Sequence, residues 1–112
     1  LTDSQWDALH SGMRQVVSTM DRFQGFDIPV AGKTGTAQQT GHANHGLFIG
    51  YAPYDDPEIT IAVRIANGYS SHNAATAARN VISYYYKETS MKDIKEMKAA
   101  GVNGNTRNSV AD

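Results

Sequence analysis

The strictest pattern in the chain is an alternation of apolar residues between Glu58 and Asn67. The apolar members of this pattern are Ile59, Ile61, Val63 and Ile65. Successive side chains of a β-strand point to opposite faces, so a period of two predicts a strand with one apolar face. A nearly continuous apolar stretch, His45 to Pro53, precedes it across the turn-forming residues 54–57. The short connection predicts that these two strands pair antiparallel.

A third strand is predicted to precede these two, from Pro29 to Ala37. The polar, glycine-containing segment Gln38 to Asn44 then reads as a hairpin connection to the second strand. Because the second strand is apolar almost throughout, we expect it to be covered on both faces. Gly32 and Gly35 remove side chains on either side of a Lys-Thr pair, which predicts close approach of a ligand or another backbone.

The first twenty residues carry the periodicity of an amphipathic helix. Thr2 and Gln5 fit a capping box at its start, and Gly12 inside it indicates either close packing or a weak point. The expected buried stripe consists of Trp6, Leu9, Met13, Val16, Val17 and Met20.

A second helix is predicted from about Ser71 to Glu88, with Ser71 as its cap. Its apolar residues at helical spacing are Ala74, Ala75, Ala78, Val81, Ile82 and Tyr85. Among the three consecutive tyrosines near its end, we expect Tyr85 to be the buried one.

The predicted fold class is therefore α+β: helix, three-stranded antiparallel sheet, helix. Residues 1–88 would form this unit. Residues 89–112 would be a polar tail, with a short helix from Ser90 to Ala100 followed by disorder. Two helices barely cover a three-stranded sheet whose middle strand is apolar on both sides. This suggests part of a larger domain.

Composition excludes several classes of function. A net charge of -1 provides no electrostatic footprint for nucleic acid, and the absence of cysteine excludes thiolate chemistry. A phosphate-binding loop would require a glycine separated from Gly32 by four residues, and Asp27 occupies that position. His42 and His45 have no further ligand types nearby, so we expect neither a metal nor another cofactor.

A succession of motifs resembles a known family. Lys33-Thr34-Gly35 matches the K-T-G signature of the serine penicillin-recognising enzymes. Its wider context, Ala31 to Gln38 followed by the strand ending in Phe48-Ile49-Gly50-Tyr51-Ala52-Pro53, resembles the C-terminal part of the transpeptidase domain of class B penicillin-binding proteins. The resemblance covers about residues 3 to 88. It implies a fragment of the larger penicillin-binding and β-lactamase-like transpeptidase fold. Gly46-Leu47 departs from the Ala-Trp that the family commonly shows.

The resemblance implies roles for four residues. Lys33 and Thr36 would be catalytic, while Thr34, Gly35 and Thr36 would bind substrate. Lys33 would place a cation near a substrate carboxylate and assist proton transfer, and the Thr36 backbone N–H would form half of an oxyanion hole. Period-two alternation places Lys33 and Thr34 on opposite faces, so the sequence leaves open which threonine hydroxyl faces the ligand. Thr36 is the favoured one.

Two other motifs of the family have no counterpart. None of the eight serines has lysine three positions later, so the nucleophile motif is absent. Ser71-His72-Asn73 spells S-x-N but follows the strands instead of preceding K-T-G, and we interpret it as a helix start. The chain alone is expected to be inactive, because acyl transfer requires an acylatable serine.

For the parent protein, the resemblance implies a D,D-transpeptidase that cross-links peptidoglycan stem peptides and binds β-lactams. A serine β-lactamase fragment and a noncatalytic penicillin sensor or scaffold module remain alternatives. The expected location is the extracytoplasmic face of the bacterial cell membrane, with an anchoring N-terminal segment absent from this chain, which begins at Leu1. Its expected partner is the upstream part of the same domain, and the isolated piece is expected to self-associate through apolar sheet surface.

Overall fold

The computed structural model describes residues 1–86 and confirms the predicted order of elements. The elements are α1 (Asp3–Ser18), a 3-10 turn (Asp21–Phe23), β1 (Ala31–Ala37), β2 (His45–Ala52), β3 (Ile59–Ile65) and α2 (Ser71–Tyr85). The strands form one antiparallel sheet in the order β1-β2-β3. No helix within residues 1–86 is long and apolar enough to cross a membrane. The predicted tail, residues 89–112, lies outside the described residues.

One face of the sheet is covered by α2, and the opposite face is covered only in part. Along β2, the residues at even positions from Gly46 to Ala52 are buried, whereas Ile49 on the other face is 56% exposed. The expectation of cover on both faces of β2 therefore holds at Tyr51 and fails at Ile49. The reason is that α2 packs across one face, while α1 reaches the other face only at one end, where the His10 ring lies 5.5 Å from the Tyr51 ring. We call the face under α2 the covered face and the opposite one the open face.

Phe48 forms the centre of the core on the covered face. Its side chain is fully buried, and Gly32 and Gly50 stand opposite each other in neighbouring strands beneath the ring. A Cβ atom added to Gly32 would lie 2.5 Å from Phe48 Cζ, and one added to Gly50 would lie 2.8 Å from Phe48 Cε1. The Phe23 ring stacks on Phe48 with 6.0 Å between centroids. Gly32 thus makes room for the Phe48 ring and for the neighbouring backbone, since its Cβ would also lie 2.6 Å from the Ile49 carbonyl oxygen. Of the two predicted reasons for this glycine, a ligand or another backbone, the structure shows the second.

The N-cap of helix α2 lies one residue earlier than expected. Ser70, not Ser71, is the N-cap, since its hydroxyl accepts a hydrogen bond from the His72 N–H at 3.1 Å. Ser71 is instead the first helical residue and is buried. A Cβ atom on Gly46 would lie 2.6 Å from the Ser70 carbonyl oxygen, so the start of α2 sits directly on β2.

The end of α2 also differs from the expectation. Tyr85 is 53% exposed, and Tyr86 turns inward instead, donating from its hydroxyl to Glu58 Oε2 at 3.1 Å. The cause is that Tyr86 lies four residues after the buried Ile82, on the same face of the helix, and its N–H still bonds to the Ile82 carbonyl oxygen at 3.1 Å. Burial, followed by the interaction with Glu58, raises the pKa of the Tyr86 phenol.

Helix α1 has the predicted start but a narrower contact with the core than its pattern suggests. The capping box is present, with Thr2 Oγ1 accepting from the Gln5 N–H and Gln5 Oε1 accepting from the Thr2 N–H. Val17 is buried, but Trp6 and Leu9 remain 46% and 47% exposed. Because α1 contacts mainly an edge strand, only its last turns reach the core.

We predict that Gly32→Ala and Gly50→Ala each lower the free energy of unfolding by about 1–3 kcal/mol, because the added methyl groups overlap the Phe48 ring. Gly35→Ala is the matched control in the same strand. Its Cβ would meet Leu47 at an ordinary 3.5 Å, so the change should stay within about 0.5 kcal/mol or be slightly stabilising. Urea unfolding of the three variants measures this. Equal effects at all three positions would contradict the packing role of Phe48.

Gly12 behaves as a weak point of α1, because nothing lies within 4 Å of a Cβ atom placed there. We predict that Gly12→Ala raises the free energy of unfolding by about 0.5–1 kcal/mol through the better helix propensity of alanine. The same urea titration measures the change. A loss of stability would instead indicate a packing contact at this position.

Candidate functional site

The Lys-Thr-Gly-Thr sequence lies on an edge of the sheet. It occupies the middle of β1, which pairs with β2 on one side and with no other strand among residues 1–86. An antiparallel pairing uses only half of an edge strand's backbone N–H and C=O groups, so the remainder point outward. An extended peptide can add to such an edge through main-chain hydrogen bonds.

Lys33 lies on the open face. It stands opposite Ile49 in β2, its side chain is exposed, and its Nζ donates a hydrogen bond to the Thr34 carbonyl oxygen at 2.9 Å. This contact directs the Lys33 side chain along β1. A positive charge is therefore held beside the outer edge of β1.

Thr34 and Thr36 lie on the covered face, opposite Phe48 and Gly46 respectively. The predicted separation of Lys33 from Thr34 across the sheet is thus confirmed. Thr34 is half-buried, whereas Thr36 is exposed. The binding role of the Thr36 hydroxyl stays a prediction. The lysine and the threonines can act on one ligand only at the strand edge, where the two faces meet.

Gly35 places no side chain on the open face next to Lys33. It is half-buried opposite Leu47 and has ordinary distances around a would-be Cβ atom. An ammonium group, two hydroxyls and outward backbone N–H groups are suited to binding a carboxylate and stabilising developing negative charge. The site as described contains no nucleophile, because no serine lies on β1.

The Ser71-His72-Asn73 sequence does not belong to this edge. It forms the first turn of α2, as expected, with Ser71 buried. The Asn73 side chain donates to the Gly68 carbonyl oxygen at 2.8 Å. Its residues therefore stabilise the helix start.

His45 takes part in a hydrogen-bond network that the sequence did not predict. Its Nε2 lies 2.8 Å from Gln39 Oε1, and its Nδ1 accepts from the Asn67 N–H at 2.9 Å. One of these partners is 22 residues away in sequence, so no local signal identifies it. Within residues 1–86, no group of three or more potential metal-ligating side chains lies together.

Comparisons with known proteins give a consistent result. A family model described as "Penicillin binding protein transpeptidase domain" matches residues 1–83. The protein named peptidoglycan D,D-transpeptidase MrdA from Acinetobacter baumannii is 36% identical over 102 residues, 75% of this chain and 15% of that protein. Its namesake from Haemophilus influenzae is 34% identical over 74% of this chain and 16% of that protein.

Solved structures share the fold. A crystal structure of Pseudomonas aeruginosa PBP2 in complex with WCK 5153 superimposes with a TM-score of 0.66 at 36% identity, covering 73% of this chain and 20% of that one. The imipenem acyl-enzyme complex of penicillin-binding protein A from M. tuberculosis gives a TM-score of 0.62 at 28% identity, covering 69% and 18%. The chain thus spans about 15% of the length of the curated relatives it matches.

Proposed function

Because the chain belongs to the penicillin-binding protein transpeptidase family, we propose that it forms the C-terminal portion of a D,D-transpeptidase that cross-links peptidoglycan stem peptides and is acylated by β-lactams. The observation that carries this proposal is the position of Lys33 to Thr36 on an accessible edge strand. The names of the MrdA relatives and the acyl-enzyme state of one structural neighbour support it.

The proposed reaction is acyl transfer through a serine that this chain does not contain. The serine oxygen attacks a peptide carbonyl carbon, the amine leaving group departs with a proton, and an acceptor amine then releases the acyl group from the serine. A β-lactam would acylate the same serine by opening of its ring. This chain would supply groups that bind the donor peptide and stabilise the oxyanion.

Each residue of the edge has a proposed role. Lys33 would neutralise the carboxylate of the donor peptide and relay a proton through a serine of the preceding part of the domain. The hydroxyls of Thr34 and Thr36 would hold that carboxylate, and the Thr36 N–H would form half of the oxyanion hole. Gly35 would let the donor peptide approach the strand closely.

The preceding part of the same domain is the proposed partner of the open face. Ile49 is left 56% exposed there. The buried Tyr51 hydroxyl has no hydrogen-bond partner among residues 1–86, and burial, with a smaller effect of Tyr54, raises its pKa. Without that partner, we propose that the piece pairs with a second copy through this surface. The location proposed for the whole protein is the extracytoplasmic face of the cell membrane.

Two other functions differ in the fate of the acyl-enzyme. A serine β-lactamase would hydrolyse it rapidly, and a penicillin sensor would retain it without transfer to an amine. A transpeptidase would pass the acyl group of a stem-peptide donor to an acceptor amine. Product analysis with donor peptide, water and acceptor amine distinguishes the three.

For the chain alone, we predict no labelling by a fluorescent penicillin, because none of its serines is followed by lysine at the third position. Joining the chain to the preceding part of its transpeptidase domain should produce labelling. Gel fluorescence and intact mass measure both. A covalent adduct on a serine of the isolated chain would show that the nucleophile assignment is wrong.

In the joined protein, we predict that Lys33→Arg lowers the second-order acylation rate by about 10²-fold or more, because a guanidinium cannot release a proton. Thr36→Val is the matched comparison. It removes a hydroxyl but keeps the backbone N–H, so it should slow acylation by carboxylate-bearing β-lactams more than acylation by an ester lacking the carboxylate. Near wild-type acylation by Lys33→Arg would leave only an electrostatic role for Lys33.

A further inference from the structure

His45 joins three segments at the Thr36 end of β1. It is the first residue of β2 and stands opposite Ala37, the residue after Thr36. Through its two ring nitrogens it contacts Gln39, which follows β1, and the backbone of Asn67, which follows β3. One side chain thus links the ends of all three strands.

The contacts define the state of the imidazole. Nδ1 accepts a hydrogen bond from a backbone N–H, so it carries no proton. Nε2 then carries the proton of the neutral ring and donates it to Gln39 Oε1. If Nδ1 carried a proton, two donors would face each other and the Asn67 N–H would lose its acceptor.

The turn that His45 contacts has an uncommon backbone conformation. Asn67 and Tyr69 have φ angles of 51° and 65°, which are disfavoured for residues other than glycine, particularly for a bulky one. Such a conformation persists when surrounding contacts hold it. Two of the contacts that hold this turn join it to β2 and the residue before it: the His45 hydrogen bond, and one from the Tyr69 N–H to the Asn44 carbonyl oxygen at 3.0 Å.

The start of α2, which follows this turn, packs closely on β2 next to Thr36. Gly46, opposite Thr36, has no space for a Cβ atom against the Ser70 carbonyl. Among the strands of residues 1–86, only β2 supports the edge strand β1. The position of Thr36 therefore depends on how β2 is fixed to this turn.

We propose that His45 is a positioning residue that fixes the Thr36 end of β1 for acylation, through its hydrogen bonds to Gln39 and to the Asn67 N–H. This proposal rests on the proposed transpeptidase function. Displacing catalytic groups by about 1 Å can lower a rate by about 10²-fold, so a hydrogen-bond clamp distant from the nucleophile can control the reaction.

The test compares His45→Asn with His45→Phe in the joined protein. Asparagine can still accept from the Asn67 N–H and does not titrate, whereas phenylalanine keeps the ring but makes neither hydrogen bond. We expect His45→Phe to lower the β-lactam acylation rate by about tenfold to 10²-fold and His45→Asn to recover most of it at neutral pH. Wild-type acylation by His45→Phe, or equal losses of rate in His45→Phe and His45→Asn, would overturn the proposal.

Hydrogen exchange on the 112-residue chain tests the clamp without any acylation. The Asn67 amide should exchange at least about tenfold faster in His45→Phe than in the wild type, since its acceptor is lost. The Tyr54 and Glu58 amides are the control, because they bond to Pro29 and Ala52 at the opposite end of the sheet. Unchanged exchange at Asn67 would overturn the proposal. Absence of acylation in every joined variant, wild type included, would instead refute the proposed function.

Discussion

The close packing of Phe48 over two glycines is the contact on which the rest of the structure depends. Gly32 and Gly50 leave only backbone beside the Cζ end of the ring, so the ring packs closely on β1 and β2 and joins them to the core. Phe23 covers it from the segment between α1 and β1. Interiors pack at close to crystal density, so neither glycine can be replaced without displacing the ring.

This packing determines what the edge strand can present. With Gly32 committed to the core, Lys33 must lie on the open face and Thr34 on the covered face, because side chains alternate along a strand. Chemistry that needs both must occur at the outer edge of β1. Gly35, which has no close neighbour beyond ordinary contact, leaves that edge accessible. The two glycines of the motif therefore serve different purposes, one in packing and one at the site.

The incompletely covered sheet agrees with a chain that spans about 15% of its relatives. The covered face buries Phe48 and the small residues of α2, whereas the opposite face leaves Ile49 exposed and the buried Tyr51 hydroxyl without a partner among residues 1–86. An exposed apolar surface and an unsatisfied buried polar atom both cost free energy until a partner covers them. The described residues thus form one connected sheet with two helices, but one face of that sheet is not fully covered.

The sequence by itself determined the elements, their order and the position of the Lys-Thr-Gly-Thr motif on a strand. These features depend on local periodicity, turn residues and the capping box at Thr2, which act over a few residues. The tertiary structure decided which expected apolar residues are buried, so Trp6 and Tyr85 remain exposed and Tyr86 turns inward. It also decided the use of Gly32 and the contacts of His45, since both depend on residues far away in the chain. Periodicity predicts the face of an element on which a side chain lies, but only the packing of other elements determines whether anything covers that face.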